Sequence, residues 1–312
     1  MMSTETKNAL GQTEKEFLKA YNSDQYNDSK FSVTSDSLIF TIQNADGKEE
    51  SNDLEDKRLK IALIQRADHP HINKWALPGG FVNKGKETTL QAAKRELDEE
   101  TAISDSGVYL EQVYTLDNMG RDVRDHIMSV SYMALLDKPE IAMKAGSDAK
   151  DAKWFEVKRK ITQVNKIITN DGFIREKYID IRLFKEGTEI ISKIKETITV
   201  KNRAKRMKVE LVDRGDLAFD HAIIINLALE RIKNKVEYTD IMFNLLPEHF
   251  TIAEAYRVYQ ITTNRNDTIQ NFRKKFKNVK NMIIETDKTT RRYSQRPAKL
   301  YKLNIHWDDN EQ

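Results

Sequence analysis

Three carboxylates with helical spacing lie in the segment 79–103, which reads GGFVNKGKETTLQAAKRELDEETAI. Glu99 and Glu100 follow Glu96 by three and four residues, so a helix would place all three acids on one face. A divalent cation relieves the repulsion among such acids, and oxygen ligands suit Mg²⁺ or Mn²⁺. The spacing therefore predicts a metal site, and the simpler alternative is a solvated acidic helix face.

A Gly-Gly turn and a polar loop are predicted to lead into this helix. Glu87 is expected at the start of the helix, where its charge favours the positive end of the helix dipole. Arg95 follows Glu87 by eight residues, which is about two helical turns, so it could orient the acidic cluster. The apolar face of the helix is expected to consist of Ala92, Ala93 and Leu97.

The segment resembles the Nudix box. In that motif a Gly is followed after five residues by Glu and, after seven more, by Arg-Glu-apolar-x-Glu-Glu-x-Gly-apolar. The residues in register are Glu87, Arg95, Glu96, Leu97, Glu99, Glu100 and Ile103. This chain departs twice: six residues separate Gly80 from Glu87, and Ala102 replaces the Gly whose positive φ ends the helix. Both departures affect how the acids are placed, although every carboxylate is present.

The resemblance implies a metal-dependent site for a nucleotide diphosphate. It assigns Glu96 and Glu100 as the main metal ligands, Glu99 as a third, and a backbone carbonyl near Gly79 or Gly80 as a further ligand. The implied chemistry is polarisation of the diphosphate and activation of a water for in-line attack. The catalytic residues implied in this way are Glu96, Glu99, Glu100, Glu87 and Arg95. Asp117, Asp122 and Asp125 lie on a suitable loop for a base, but each is more typical of a structural residue.

Three arginines near the box are candidates for binding the phosphates of a nucleotide. Arg66 ends a predicted strand beside the box, and Arg121 and Arg124 lie on a predicted loop. A guanidinium can pair with phosphate oxygens through two hydrogen bonds. Together with Gly79 and Gly80, these arginines form the predicted nucleotide site, and surface ion pairs are the alternative.

The composition indicates a soluble, cytoplasmic chain with room for two domains. The chain has 312 residues and no cysteine, which excludes disulfides and thiolate metal sites. The N-terminus lacks the apolar core of a signal peptide, and no apolar run reaches the roughly 18 residues of a membrane span. The formal net charge of +3 gives the whole chain no strong preference for a polyanion.

Residues 31–235 show strands interleaved with few strong helices, which predicts an α/β/α sandwich with a mixed sheet, here the Nudix domain. Predicted strands cover 31–42, 59–65, 108–116 and 127–136, and a further strand starts at 153. Residues 1–30 are expected to form an N-terminal extension. Residues 158–212 are expected to be an insertion of extended ribbon plus irregular chain.

A later helix is predicted to open at 217–221, with Asp220 as its N-cap. His221 at the start of this helix and Trp75 before the Leu-Pro turn could each contact a ligand. Both positions are more typical of packed residues, and we expect them in the core.

Residues 236–312 read as a winged helix-turn-helix domain. Thr251 and Glu254 form a capping box for one helix, and Asp267 with Gln270 is expected to repeat it for a second helix ending near 278. The second helix has the apolar residues Ile269, Phe272 and Phe276 and is followed by β segments at 282–285 and 298–303. Helix, turn, helix and ribbon in this order are typical of a winged helix.

The basic residues of this domain are clustered. From 265 to 302 there are twelve Lys or Arg against three acids, which indicates a phosphate-binding surface, although a solvated basic face is the alternative. The candidate DNA-binding residues are Arg273, Lys274, Lys277, Arg291, Arg292 and Arg296.

Taken together, the chain resembles the Nudix-related transcriptional regulators of NAD metabolism. The segments 245–251, 271–276 and 296–301 look like the winged helix of this family, and 75–82, 120–124 and 217–221 look like its Nudix part. The resemblance implies a homodimer that binds ADP-ribose or a related NAD-derived nucleotide and double-stranded DNA. Some members keep pyrophosphatase activity, so a Mg²⁺-dependent hydrolase of ADP-ribose or a similar compound is the alternative.

Overall fold

A mixed sheet forms the body of the protein. The computed structural model describes residues 12–20, 31–101, 108–137, 149–279, 281–293 and 296–307. Within those residues the strands of this sheet are β1 (Ser32–Asn44), β2 (Lys57–Arg66), β3 (Trp75–Ala76), β4 (Gly79–Phe81), β5 (Tyr109–Leu116), β6 (Ile127–Leu136), β7 (Ala149–Thr169), β8 (Gly172–Lys185), β9 (Thr188–Lys201) and β10 (Ala204–Asp213). Their order is β10-β9-β8-β7-β2-β1-β6-β5, with β3 on β2 and β4 on β1.

The pairing of β1 explains why the sheet is mixed. β1 runs parallel to β6 and antiparallel to both β2 and β4. Parallel neighbours need a crossover connection, and the chain between β1 and β6 contains the helix of the Nudix box. The predicted mixed sheet is therefore confirmed.

Helices cover both faces of the sheet. The helices of this part of the chain are α1 (Glu14–Ala20), α2 (Thr89–Thr101) and α3 (His221–Lys235). Successive residues of β1 point to opposite faces, so Ile39 packs with Leu97 of α2, while Leu38 joins the core that contains Ile224 of α3. This arrangement confirms the predicted α/β/α sandwich.

The segment 158–212 contains no irregular chain, so that part of the expectation is wrong. It belongs to a four-stranded antiparallel meander, β7 to β10, whose connections are short turns. One face of the strands packs beneath α3 through buried residues such as Ile181 and Ile194. Ion pairs between neighbouring strands, such as Lys177–Glu196 at 2.9 Å, balance charges on these strands.

The C-terminal part has the order of elements expected for a winged helix. After a 3₁₀ turn (Ile241–Leu245) come α4 (Ile252–Thr263), α5 (Ile269–Arg273), a π-helical continuation (Lys274–Val279), β11 (Ile283–Thr290) and β12 (Ala298–Leu303). The predicted capping box is present, because the side chains of Thr251 and Glu254 each accept a hydrogen bond from the other residue's backbone N–H. β11 and β12 form the antiparallel wing.

The second predicted cap is wrong by one residue. Thr268, not Asp267, is the N-cap of α5, and its hydroxyl accepts a hydrogen bond from Asn271 N at 3.2 Å. Asp267 instead accepts a hydrogen bond from the hydroxyl of Tyr259 at 2.8 Å. Asp and Thr are both good N-caps, and the contact with a residue of the preceding helix decides which of the two caps the helix.

One continuous hydrophobic core joins the sheet to the winged helix. It runs from residues such as Phe155 beneath α3 to Phe272 and Phe276 of the winged helix. A polar contact adds to it, because Arg257 of α4 lies 3.1 Å from a carboxylate oxygen of Glu55 and donates to the Glu55 carbonyl at 3.0 Å. Among the helices of the described residues, none has the length and apolar character needed to cross a bilayer.

Candidate functional site

Arg95 links two carboxylates of the acidic helix. Its Nε and Nη2 donate to the carboxylate of Glu87 at 3.2 and 3.1 Å, and its Nη1 donates to Glu96 Oε1 at 2.7 Å. The same Nη1 lies 3.7 Å from Glu99. Hydrogen bonds from Arg95 lower the pKa of Glu87 to about 2, so this carboxylate stays charged. Arg95 therefore orients the acids, as the sequence predicts.

Glu87 does not lie in the first turn of the helix, which corrects the expectation for this residue. α2 begins at Thr89, and the cap is formed by Thr88 and Gln91, whose side chains each accept from the other's backbone N–H at 3.2 and 2.8 Å. Glu87 instead closes the preceding loop by accepting from Asn83 N at 2.9 Å. The extra loop residue is accommodated because Glu87 still reaches Arg95.

The contribution of Glu87 to stability is expected to depend on pH. Its pKa is lowered from the ordinary 4.5 to about 2 in the folded state, so its stabilising effect is complete above the ordinary value and is lost as the pH falls towards 2. Thermal unfolding of the wild type and of Glu87→Gln should therefore show a constant difference near neutral pH. That difference should shrink below about pH 4.5. A difference that did not change with pH would contradict this assignment.

Gly80 holds the carboxylate of Glu96 against the backbone. A Cβ placed on Gly80 would lie 2.2 Å from Glu96 Oε1, so only glycine permits this close approach. Glu96 is buried, whereas Glu99 is exposed. A buried carboxylate beside a peptide group is a suitable start for an oxygen-ligated cation site.

Glu100 is the other main metal ligand of the prediction. The side chain of Glu100 lies outside the described residues, as do Ala102 and Ile103. Among the described side chains, no three His, Asp or Glu residues come close enough to hold a metal ion. The described residues fit part of the expected donor set, and the metal site stays a prediction that depends on Glu100.

Two of the predicted arginines surround an aromatic ring next to the box. The guanidinium carbons of Arg66 and Arg124 lie 5.1 and 5.7 Å from the ring centroid of Phe219, and Arg124 also lies 5.4 Å from that of Phe81. Cations over aromatic faces at this distance are attracted by the ring. Phe219 has a φ of +50°, a conformation that is costly for a large side chain. Sequence reasoning missed Phe219, and the only signal was its place in the 217–221 segment.

The carboxylate of Asp122 holds Arg124 in place. Asp122 accepts from Arg124 Nε and Nη2 at 3.0 and 2.7 Å. Burial raises the pKa of Asp122, but the hydrogen bonds from Arg124 outweigh burial and the pKa lies below its usual value. Asp122 is therefore a positioning residue in this structure, as expected for the aspartates of this loop.

Arg121 is buried in a different ion pair. Its Nε and Nη2 donate to Asp220 at 3.0 and 2.7 Å, and its Nη1 donates to the carbonyl of Ile127 at 3.3 Å. Asp220 stands at the N-cap position of α3, as predicted, but its side chain makes no capping hydrogen bond. These contacts favour a structural role for Arg121 in a buried ion pair, whereas the sequence offered nucleotide binding or a surface ion pair.

His221 and Trp75 are both packed, as expected. The backbone N–H of Leu77 donates to His221 Nδ1 at 2.9 Å, and burial lowers the pKa of His221, so its ring is neutral at pH 7. Trp75 is buried and meets the ring of Phe155 edge-on at 4.7 Å between centroids. The hydrogen bond to His221 docks the start of α3 against the chain that enters the box, whereas Trp75 packs against β7.

A cavity of about 590 Å³ has Phe219 and Asp220 in its wall. The meander contributes β10 residues Met207, Val209 and Leu211 to the opposite side. Cavities of this size are typical of small-ligand sites. The insertion therefore lines a space that also borders Phe219, the ring next to Arg66 and Arg124.

The candidate DNA surface lies on the winged helix. Arg273 and Lys274 of the second helix are exposed, as are Arg291, Arg292 and Arg296 of the wing. Lys277 is paired with Glu285 of β11 at 3.1 Å, and Arg292 lies 3.6 Å from Glu254. Phe272 and Phe276 are fully buried, so they belong to the core and not to a base-stacking surface.

Two family models match the chain in the order of its domains. The NUDIX domain matches residues 53–170, and the NrtR DNA-binding winged helix domain matches residues 242–303. The ADPR responsive transcriptional repressor NtrR of Acinetobacter baylyi is 27% identical over 294 residues, covering 94% of this chain and 89% of that protein.

Solved structures with both domains are also similar. A MutT/nudix family protein from Enterococcus faecalis has a TM-score of 0.63 at 28% identity, covering 94% of each chain. NrtR of Shewanella oneidensis has a TM-score of 0.57 at 25% identity, covering 88% of this chain and 94% of that one. The chain therefore carries a Nudix domain followed by an NrtR winged-helix domain, and it is similar over most of its length to proteins named as NrtR and NtrR.

Proposed function

We propose that this protein is a DNA-binding transcriptional regulator that responds to ADP-ribose or a closely related nucleotide. The observation that supports it best is the continuous core between a Nudix domain and a basic winged helix. The Acinetobacter relative, which aligns over nearly its whole length, is named as an ADPR-responsive repressor. Such a regulator would act in the cytoplasm, in agreement with the expectation from composition.

The nucleotide is proposed to bind beside the box. Arg66 and Arg124 supply cations for the diphosphate. Phe219, which lies near both arginines, and Phe81, which lies near Arg124, offer ring faces for stacking. Gly79 and Gly80 would let the backbone approach the ligand, with Glu96 beneath Gly80. Binding would bias the orientation of the winged helix only if one geometry binds the nucleotide better than another.

A homodimer is part of the proposal, because winged-helix and related regulators commonly read two half-sites related by a twofold axis. In each protomer the exposed basic residues of α5 and of the wing would contact one half-site. The predicted contacts are Arg273, Lys274, Lys277, Arg291, Arg292 and Arg296.

Removing two charges from the second helix should test DNA binding. Arg273→Ala combined with Lys274→Ala is expected to weaken binding to a duplex containing the protein's own promoter. It should also reduce the slope of log K against log salt by about 3.6, since the proposed dimer loses four phosphate contacts and each contributes about 0.9. The measurement is a titration by fluorescence anisotropy at several salt concentrations.

The matched control is Lys205→Ala combined with Arg206→Ala, which removes the same charges from exposed positions of β10. This variant should leave both affinity and slope unchanged. If the wild type fails to bind the duplex at low salt, or if both variants weaken binding equally, the DNA surface is wrongly assigned. Addition of ADP-ribose to the wild-type complex tests the response to the nucleotide.

A second candidate function is hydrolysis of ADP-ribose or a similar nucleoside diphosphate derivative. It is favoured by the Arg95 network, which fixes Glu96 against Gly80. Glu96, Glu99 and Glu100 would hold Mg²⁺ or Mn²⁺ together with a backbone carbonyl near Gly80, and such an ion would supply Lewis-acid polarisation of the diphosphate. Release of AMP and ribose 5-phosphate in the presence of Mg²⁺, abolished by Glu100→Gln, would establish this activity.

A further inference from the structure

The strand β7 is much longer than the sheet that supports it. β2 pairs with β7 only from 149 to 156, whereas β8 pairs with it as far as Thr169. The body of the protein makes its last contacts near Arg159, which donates to Asn226 of α3 and forms an ion pair with Glu230. Within the described residues, one edge of β7 therefore has no partner strand beyond Glu156.

Apolar side chains are concentrated on this unpaired part of β7. The exposed fractions are 43% for Ile161, 55% for Val164, 55% for Ile167 and 70% for Ile168. They lie on both faces of the strand, since Ile167 and Ile168 are neighbours. An open edge with exposed β-branched residues is a template for pairing with another strand.

The usual protection of such an edge is weak here. Lysines commonly prevent edge pairing, but Lys158 and Lys160 precede the bulge between Ile161 and Gln163. Lys166 is the only charged residue from 163 to 169, and its ammonium lies 4.8 Å from the ring centroid of Phe173 on β8. This side chain therefore leans over β8 and not across the open edge.

The segment is compatible in charge with an antiparallel copy of itself. A twofold axis at Val164 would place Lys166 opposite Thr162, and an axis at Asn165 would place it opposite Val164. Like charges directly opposite each other destabilise a pair of strands, and neither of these registers creates such a pair. An axis at Lys166 would instead pair that residue with its own copy, and an axis at Gln163 would place it opposite Lys160.

We propose that the unpaired edge of β7 from Ile161 to Thr169 is the surface on which a second copy of this chain pairs, with the twofold axis at Val164 or Asn165. This inference rests on the proposed homodimer and names the surface that forms it. The ribbons of two protomers would then form one sheet across the dimer, and the exposed isoleucines would be covered by the partner copy.

The absence of cysteine allows a direct test in the full-length chain, because a single introduced thiol has no other thiol within its own chain. Residues directly opposite across an antiparallel pair have Cβ atoms about 4.5–5.5 Å apart, close to the geometry of a disulfide. Val164→Cys and Asn165→Cys are therefore each oxidised mildly at low micromolar concentration. One of them is expected to give mostly cross-linked dimer on a non-reducing gel.

Ile168→Cys is the control, because it is more exposed than either test position yet lies about 20 Å or more from its own copy in both registers. It should cross-link at least tenfold less. Failure of both test variants to cross-link, or equal cross-linking of Ile168→Cys, would overturn the proposal. The mass of the wild type in solution distinguishes failure of this surface from failure of the homodimer. If the wild type is a dimer but the test variants do not cross-link, only the β7 surface is contradicted. If the wild type is a monomer, the proposed homodimer itself is contradicted.

Discussion

Phe276→Ala is expected to destabilise the protein by about 3–5 kcal/mol, the usual cost of deleting a buried aromatic ring. Phe276 is fully buried, and its ring centroid lies 4.8 Å from that of Phe272 and 5.5 Å from that of Tyr259. The ring stands in the π-helical continuation of the second helix, so its loss also removes the support beneath Arg273 and Lys274. Promoter binding should be lost together with stability.

Urea unfolding followed by circular dichroism measures the effect as a lower midpoint. The control is Phe31→Ala, which removes the same ring from a position that is 44% exposed. Its expected cost is below about 1 kcal/mol, as for most surface substitutions. A similar cost for the two variants would show that the C-terminal aromatic cluster is not a packed core.

Gly80→Ala is expected to lower nucleotide affinity or turnover about 100-fold while the protein remains folded. The added Cβ would lie 2.2 Å from Glu96 Oε1, which is the mobile end of a side chain, so the carboxylate must move. Moving it breaks the hydrogen bond from Arg95 and misplaces the group that the proposed site requires. Displacements of about 1 Å in a site can cost about 100-fold in rate.

Gly85→Ala provides the matched control for this prediction. Gly85 lies in the same loop with a φ of +73°, and a Cβ placed there meets nothing within 4 Å. The substitution should cost about 1 kcal/mol in stability, because Ala adopts a positive φ poorly, but leave ADP-ribose binding intact. Isothermal titration with ADP-ribose compares the two variants, and equal affinities would refute the role of the Gly80–Glu96 contact.

The parts of the fold that local sequence controls could be predicted. The spacing from Glu87 to Arg95 and Glu96 implied a linked set of charges, and the structure joins these three side chains. The capping box of Thr251 and Glu254 is a contact between residues three apart, so it too is visible in sequence. Patterns of this kind can be predicted because the residues that interact are close together in the sequence.

The parts that were missed depend on contacts between distant residues. Phe219 enters the arginine cluster through a positive φ and through the docking of its segment against Trp75, neither of which a local pattern reveals. Asp220 was a good N-cap candidate, but the distant Arg121 takes its carboxylate. The exact cap of α5 was likewise decided by Tyr259 of the preceding helix.

The helix α3 contacts the sheet strands β5, β8, β9 and β10 on one side and α4 with the 3₁₀ turn on the other. Residues around most of its circumference are buried, including Ile223, Ile224, Ile225 and Ile232. Cutting the chain after this helix would uncover its apolar residues on one fragment and the apolar residues of α4 that they cover on the other. We therefore expect each fragment to be less soluble than the full chain.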